Sequence, residues 1–222
     1  QSFGRLARLC PHIHLPVQSG SDAVLRRMHR QYTAERYQER VAALRQVCPG
    51  IAITSDVIVG FPGESSGDFQ ATLDLVRAVE YDGLFAFMYS DRPAAPATRF
   101  SGKVPEVEKR ARLAELLALQ AQITIRRNQR LVGTVQEVLV EGSSSRPGLA
   151  VGGRGAPELT GRTPGNKIVN FTAPAEPAGG PPQARGRLVN VRIEQAFAHS
   201  LWGAPAIGEP PAAKERSRCH AA

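Results

Sequence analysis

The strongest constraint in the sequence is an alternation of short apolar runs with helix-spaced apolar residues over the first hundred positions. The apolar runs at residues 13–17, 51–59 and 84–89 predict three strands. The segments between them predict helices, with caps at Asp22, at Thr33 and at Ser65 or Ser66. Such alternation is typical of βα units around a parallel sheet. A complete eight-stranded barrel needs about 250 residues, so we expect about half of one.

The pattern changes after a predicted helix over residues 105–132, which has a proline in its first turn and a glycine just past its end. Behind it, alternating runs at 134–140, 167–171 and 187–193 are separated by Gly, Ser and Pro clusters. Short strands with this spacing predict a small antiparallel β-barrel.

These patterns divide the chain into a partial α/β barrel at 1–132, a β-barrel at 133–202 and a disordered tail at 203–222. The tail is assigned as disordered because it has too few apolar residues to fold. No run approaches the roughly 20 apolar residues of a membrane span, and the first residues lack an apolar signal core. We therefore predict a soluble, cytoplasmic protein.

Polar residues follow each predicted strand at its carboxyl end, where parallel barrels bind their ligands. The Gln18 amide offers both a donor and an acceptor to a ribose hydroxyl, and Asp56 accepts from a hydroxyl or an amine. Arg30 is suited to binding a carboxylate through two parallel hydrogen bonds. Together these groups fit a nucleoside that carries an amino acid. Taken singly, each has a structural explanation as a cap or a turn constraint.

Metal chemistry has less support. Glu64 and Asp68 are spaced to share one helix face and could hold a cation, but two carboxylates at the start of a helix are ordinary partners of its dipole. Cys10, Cys48 and Cys219 lie far apart and form no C-x-x-C pair, so we predict no metal site within the chain. The signatures G-x-S-x-G and G-x-x-x-x-G-K-[ST] are absent from the sequence.

The net charge of +8 is carried almost entirely after residue 100. A basic surface on a small domain attracts phosphate groups through counterion release, which favours a nucleic acid as partner. A GC-rich gene that encodes arginine in place of lysine is the alternative source of this composition.

Five segments together resemble the rear half of the radical-SAM methylthiotransferases. The segments are HIHLPVQSGSDAVLRRMHRQYT, ITSDVIVGFPGE, FMYSDRP, VLVEG and LTGRTPGNKIVNF. The resemblance extends over roughly residues 11–202. It implies the C-terminal half of a radical-SAM TIM-like barrel, followed by a TRAM domain, a small β-barrel that binds RNA in this family.

The resemblance also implies S-adenosyl-L-methionine (SAM) as a cofactor. Gln18 and Asp56 would contact its ribose, and Arg30 its carboxylate. Glycines in the turn at 57–63 would let the main chain approach the adenine closely. The implied cofactor-binding set is Gln18, Ser19, Arg30, Asp56, Gly60 and Gly63.

The implied partner is the anticodon stem-loop of a transfer RNA. Basic side chains in or beside the turns of the barrel would contact phosphates, and an asparagine would contact a base or a sugar. The turn that contains Gly165 and Asn166 is also explained simply as a hairpin. The implied RNA-binding residues are Arg92, Arg146, Arg162, Asn166 and Lys167.

The family activity that fits best is addition of a methylthio group to C2 of N6-isopentenyladenosine in the anticodon loop, by a monomer with two 4Fe-4S clusters. The C-x-x-x-C-x-x-C motif that binds the radical-generating cluster is absent from the 222 residues, which begin without Met. We therefore expect an inactive fragment or a truncated reading frame that contains no catalytic residue of its own.

Other functions fit the same motifs. One alternative is a methylthiotransferase acting on threonylcarbamoyl-adenosine or on an aspartate of a ribosomal protein. The alternative of another class is a non-catalytic RNA-binding protein, in which the barrel remnant serves only as a scaffold.

Overall fold

The computed structural model describes residues 3, 6, 9–93, 95–144, 158–173 and 185–211. The chain divides into two compact units, one formed by Ile13–Thr124 and the other by Gln1–His12 together with Ile125–Ala222. None of the helices in the described ranges is long and apolar enough to cross a membrane.

Strands and helices alternate in the first unit, as predicted. Their order is β1 (His12–His14), α1 (Asp22–Arg27), α2 (Ala34–Val47), β2 (Ala52–Val59), α3 (Ser66–Val79), β3 (Gly83–Met88) and α4 (Glu106–Gln129). The strands form one sheet in the order β1-β2-β3, and β2 pairs with β3 in parallel. Strand β1 ends earlier than residue 17 because Pro16 has no N–H to continue the ladder.

Side-chain caps fix where the first three helices begin. Thr33 accepts from the N–H of Arg36 at the start of α2, and Ser65 caps α3, as the sequence predicts. Helix α1 differs, because its cap is Ser21 and not Asp22. The Asp22 Oδ1 atom instead accepts from the N–H of Ala34 at 2.8 Å, so this carboxylate links the start of α1 to the start of α2.

The core of the first unit lies on one face of the sheet. Odd-numbered residues of β2 are buried, whereas Thr54, Asp56 and Ile58 are partly exposed. A chain of hydroxyl groups crosses the core, in which Tyr81 donates to Tyr37 at 3.0 Å and Tyr37 donates to the carbonyl of Leu15 at 2.8 Å. The other face of the sheet is therefore the open one.

Five strands of the second unit close into a barrel in the order β4-β5-β6-β8-β7. They are β4 (Val135–Ser143), β5 (Glu158–Arg162), β6 (Ile168–Thr172), β7 (Leu188–Ala196) and β8 (Leu201–Pro205). Four pairs are antiparallel and the β6–β8 pair is parallel. The predicted antiparallel pattern fails at this pair because an odd number of alternating strands cannot close without one parallel pair.

Strands β5 and β8 have no clear apolar alternation, and the sequence patterns miss both. Strand β8 also corrects the predicted tail, because residues 203–205, assigned as disordered, belong to this strand. Leu201 and Trp202 are buried, so β8 completes the barrel core. The core cluster consists of Val138, Val140, Leu159, Val169, Phe171, Val191, Ile193 and Leu201.

Candidate functional site

Gln18 and Asp56 lie side by side at the carboxyl side of the sheet. The N–H of Gln18 donates to the Asp56 carbonyl at 2.8 Å, and the N–H of Ile58 donates to the Gln18 carbonyl at 2.9 Å. These bonds make Gln18 an isolated parallel bridge to Val57, with a left-handed φ of 70°. Gln18 is only 8% exposed, yet its side-chain amide has no hydrogen-bond partner among the described residues. Because its amide atoms remain accessible to solvent and make no hydrogen bond within the described residues, they are available to a ligand.

The Asp56 carboxylate projects from the open face of β2 and is oriented by a histidine. Its Oδ2 atom lies 3.3 Å from Nε2 of His14, whose Nδ1 atom lies 3.0 Å from the Thr54 hydroxyl. The His14 ring also makes an edge contact with Phe85, at 5.9 Å between centroids. His14 is thus a site residue that the sequence reasoning missed. The sequence feature that could have identified His14 is its position in β1, the strand that precedes Gln18.

Two aromatic side chains extend the open face beside Asp56. Phe85 and Phe87 of β3 pair in register with Asp56 and Ile58, and they are 58% and 54% exposed. Parallel register puts each pair on the same face of the sheet. The open face therefore combines apolar ring surface with hydrogen-bonding groups, which is the combination that binds nucleosides.

The turn after β2 requires glycine at two positions. Gly60 and Gly63 have φ values of +72° and +83°, a region that other residues rarely adopt. A Cβ atom on Gly60 would lie 2.3 Å from Cγ of Lys109, and one on Gly63 would lie 2.9 Å from Cζ of Arg27. The positive φ values and the close contacts with Lys109 and Arg27 both arise within the protein. The two glycines are therefore explained by the conformation of the turn alone.

A buried ion pair holds the same turn in place. The sequence patterns did not predict this pair. The Glu64 carboxylate accepts from the Gly60 N–H at 2.6 Å and from the Arg112 guanidinium at 2.5 Å through Oε2. Arg112 also donates to the Glu64 carbonyl at 3.1 Å and to Glu108. Burial raises the pKa of Glu64, while the Gly60 N–H and Arg112 act in the opposite direction. Glu64 is thus a structural partner of α4.

Asp68 joins the two loops that carry Gln18 and Gly60. Its Oδ1 atom accepts from the Ser21 hydroxyl at 2.5 Å, and Oδ2 accepts from the Ser65 N–H at 2.9 Å and hydroxyl at 2.6 Å. One turn later, the Thr72 hydroxyl accepts from the Gly20 N–H at 2.9 Å. Helix α3 therefore fixes the segment that follows Gln18. Glu64 and Asp68 therefore both have partners within the protein.

Replacement of Asp68 by alanine is expected to lower the stability of the first unit by about 1 kcal/mol at neutral pH, the typical value of a helix cap. Burial alone would raise the pKa of Asp68, but hydrogen bonds from Ser21 and Ser65 outweigh it and hold the pKa below its ordinary value. Because the pKa of Asp68 is lower in the folded than in the unfolded state, its charge stabilises the fold at pH values above the unfolded-state pKa. This stabilisation is lost as the pH falls through the folded-state pKa. The difference from wild type should therefore shrink below about pH 4.

Urea unfolding followed by far-UV circular dichroism at several pH values measures this effect. Asp74→Ala is the matched control, because Asp74 lies on the same helix and its partners, Arg77 and Gln70, are exposed. A pH-independent difference for Asp68→Ala would contradict the role given to its charge.

The remaining predicted cofactor residues occupy different settings. Ser19 is buried, and its hydroxyl accepts from the Ser21 N–H at 3.1 Å, so it serves the loop before α1. Arg30 is exposed and lines a surface cleft of about 520 Å³ beside Tyr32. Arg92, which was predicted to bind RNA, is exposed in the loop after β3, and its carbonyl accepts from the Thr98 hydroxyl at 2.8 Å.

The predicted RNA-binding residues of the barrel that the structure describes form hydrogen bonds within the protein, which limits their contact with RNA. Arg162 donates to Glu141 at 3.1 Å and to the Asn166 side chain at 2.9 Å, while Asn166 occupies the left-handed turn position at φ 63°. The Lys167 ammonium donates to Asn128 Oδ1 at 2.8 Å, which joins the end of α4 to the β5–β6 turn. Arg146 lies outside the described residues.

Comparisons with known proteins match both units. The radical SAM superfamily matches residues 3–76, and the TRAM domain matches residues 129–205. The chain is 50% identical, over 96% of its length, to a tRNA-2-methylthio-N(6)-dimethylallyladenosine synthase from Desulfosudis oleivorans, of which it covers 46%. Proteins of the same name from Syntrophobacter fumaroxidans and Geotalea uraniireducens are 49% and 46% identical over 91% and 90% of the chain. The chain covers 41% and 42% of these two, so it spans less than half of each relative.

Proposed function

Because the chain belongs to the radical-SAM methylthiotransferase family, we propose that it holds the adenosyl part of SAM in its first unit and binds transfer RNA through its barrel. The proposed reaction is the addition of a methylthio group to C2 of N6-isopentenyladenosine in the anticodon loop. Three relatives that match over at least 90% of this chain bear the name of a tRNA-2-methylthio-N(6)-dimethylallyladenosine synthase, which supports this choice of substrate.

The observation that carries the proposal is the pairing of Gln18 with Asp56. Their backbones are joined by a hydrogen bond of 2.8 Å, and the Gln18 amide has no partner in the described part of the chain. An amide and a carboxylate on two hydrogen-bonded segments supply the donor and the acceptors that the hydroxyl groups of a ribose require. The exposed Phe85 and Phe87 rings offer apolar surface nearby for a flat base.

The residues present fit SAM, and in this proposal SAM supplies the adenosyl and methyl groups of the reaction. Gln18 and Asp56 would hold the ribose hydroxyls, and Arg30 would bind the carboxylate. The turn from Gly60 to Gly63 would border the adenine. His14 would orient Asp56 by occupying its Oδ2 atom.

A 4Fe-4S cluster does not fit this chain. Such a cluster needs three neighbouring thiolates, and the 222 residues contain three cysteines at distant positions. Cys10 is exposed, Cys48 is half-buried, and no group of three His, Cys, Asp or Glu side chains that could hold a metal ion occurs within the described ranges.

Saturation-transfer NMR of SAM with the 222-residue chain tests the first unit. We expect transfer to the ribose and adenine protons in the wild type. The affinity should fall at least tenfold in Asp56→Asn, the loss expected from one charged hydrogen bond, and severalfold in Gln18→Ala, the loss expected from a neutral one. Asp74→Asn is the control, since Asp74 is exposed on the far end of α3 and should leave binding unchanged.

Two results would contradict the proposed SAM site. The first is the absence of transfer with the wild type. The second is equal transfer in the wild type and in both site variants, which would show binding elsewhere. Circular dichroism of each variant confirms that the first unit remains folded.

A further inference from the structure

The barrel presents an outer strip that the proposed set of RNA-binding residues does not contain. Leu139 of β4 pairs in register with Leu188 of β7 on one side and with Arg162 of β5 on the other. Arg162 pairs in turn with Ile168 of β6. Directly opposed residues of antiparallel strands point to the same face, so these four side chains form one row. We name this row, with Arg185 and Arg187 at its end, the outer strip.

The outer strip contains exposed apolar side chains between its arginines. Leu139 is 46% exposed and Leu188 is 62% exposed, although the neighbouring residues Val138, Val140 and Val189 are buried or half-buried. Two adjacent exposed leucines in the middle of a sheet cost free energy unless a partner covers them.

Charge at the strip is placed for phosphate groups. Arg187 directly precedes Leu188, and Arg185 lies two residues further back. Both are exposed, and neither side chain has an ionic partner among the residues that the structure describes. Arg162 is held within the row by Glu141 and Asn166. Glu137 lies two residues before Leu139 in β4, on the side away from Arg187. Because Glu141 offsets the charge of Arg162, a polyanion is attracted mainly by Arg185 and Arg187.

We propose that the outer strip binds a single-stranded segment of RNA, with unstacked bases on Leu139 and Leu188 and the phosphate backbone at Arg185 and Arg187. Unpaired loops expose both bases and phosphates, whereas a duplex hides its base faces. This inference rests on the proposed function and specifies the residues that bind the RNA. It differs from the sequence prediction, which placed phosphates at Lys167, a side chain that the structure ties to Asn128.

The test is fluorescence anisotropy of a labelled anticodon stem-loop RNA with the 222-residue chain over a series of salt concentrations. In Arg185→Ala/Arg187→Ala we expect roughly tenfold weaker binding and a salt slope smaller by about 1.4, because two phosphate contacts are lost. In Leu139→Ser/Leu188→Ser we expect weaker binding of the stem-loop with an unchanged slope, and unchanged binding of a duplex made from the stem alone.

Arg36→Ala/Arg40→Ala is the control, because it removes the same charge from exposed positions on α2. It should preserve affinity and slope. All replaced side chains are exposed, and unfolding followed through Trp202 verifies that the barrel is intact.

The outcomes separate the two proposals. If the wild type binds the stem-loop and both strip variants bind it equally well, the outer strip is overturned and RNA binding by the barrel stands. If strip variants lose stem-loop and duplex binding alike, the preference for single strands is overturned. If the wild type does not bind RNA, both the strip and the proposed RNA-binding function are overturned.

Discussion

Replacement of Arg112 by methionine is expected to destabilise the first unit by about 3–5 kcal/mol. Arg112 and Glu64 are both buried, and their Nη1 and Oε2 atoms lie 2.5 Å apart. Methionine fills the space of the arginine stem but leaves a buried carboxylate without a cation, which is the costly case for ion pairs inside proteins. The loss should also release the Gly60 turn, since Glu64 accepts from the Gly60 N–H.

Urea unfolding separates the two units spectroscopically. Far-UV circular dichroism follows the helices of the first unit, and fluorescence of Trp202, the single tryptophan of the chain, follows the barrel. We expect an earlier helical transition in Arg112→Met and an unchanged Trp202 transition.

Arg110→Met is the matched control for this change. Arg110 lies on the same helix, is 72% exposed and pairs with Glu106 at 3.6 Å. Its loss should cost less than about 1 kcal/mol, as for other surface pairs. The double variant Glu64→Gln/Arg112→Met should recover most of the lost stability, because no charge remains buried. Equal effects of Arg112→Met and Arg110→Met would show that the buried pair is not what holds the turn.

Replacement of Phe171 by alanine is expected to unfold the barrel. Phe171 is fully buried in its core, and removal of a buried phenylalanine ring costs about 3–5 kcal/mol. A domain of this size has a net stability of only about 3–5 kcal/mol from its core, so little or none remains. Binding of the anticodon stem-loop should disappear together with the folded barrel.

Trp202 reports this unfolding directly. It lies in β8, which pairs with β6 next to Phe171, and it is buried in the native barrel. We expect its emission to shift to that of a solvent-exposed indole in Phe171→Ala. Phe87→Ala is the control, because the Phe87 ring is exposed on the sheet of the other unit. A native Trp202 spectrum in Phe171→Ala would contradict the assigned core.

Local sequence patterns were sufficient for much of the first unit. The apolar run that became β2 and the capping residues Thr33 and Ser65 depend on contacts within a few residues, and such contacts are readable from spacing. The same patterns assigned Asp22 as a cap. They missed Ser21 because both residues have capping side chains, and the choice depends on Asp68, which lies 47 residues away.

The closing strand of the barrel, β8, was harder to predict from the sequence. The segment LWGAP combines Gly and Pro with two apolar residues, which by itself indicates a loop. It becomes a strand because β6 and β7 present free edges that it joins. Pairing with partners supplied by the fold outweighs weak local preference.

The sequence by itself determined the alternation of strands and helices, the two-domain order and, through its motifs, the family that both parts resemble. Tertiary structure decided what the candidate site residues do. It paired Glu64 with Arg112 across 48 residues, tied Lys167 to Asn128 across 39, and left the Gln18 amide without a partner in the described ranges. Backbone hydrogen bonding and apolar periodicity act over a few residues, whereas the partner of a charged side chain depends on which distant segments folding brings together.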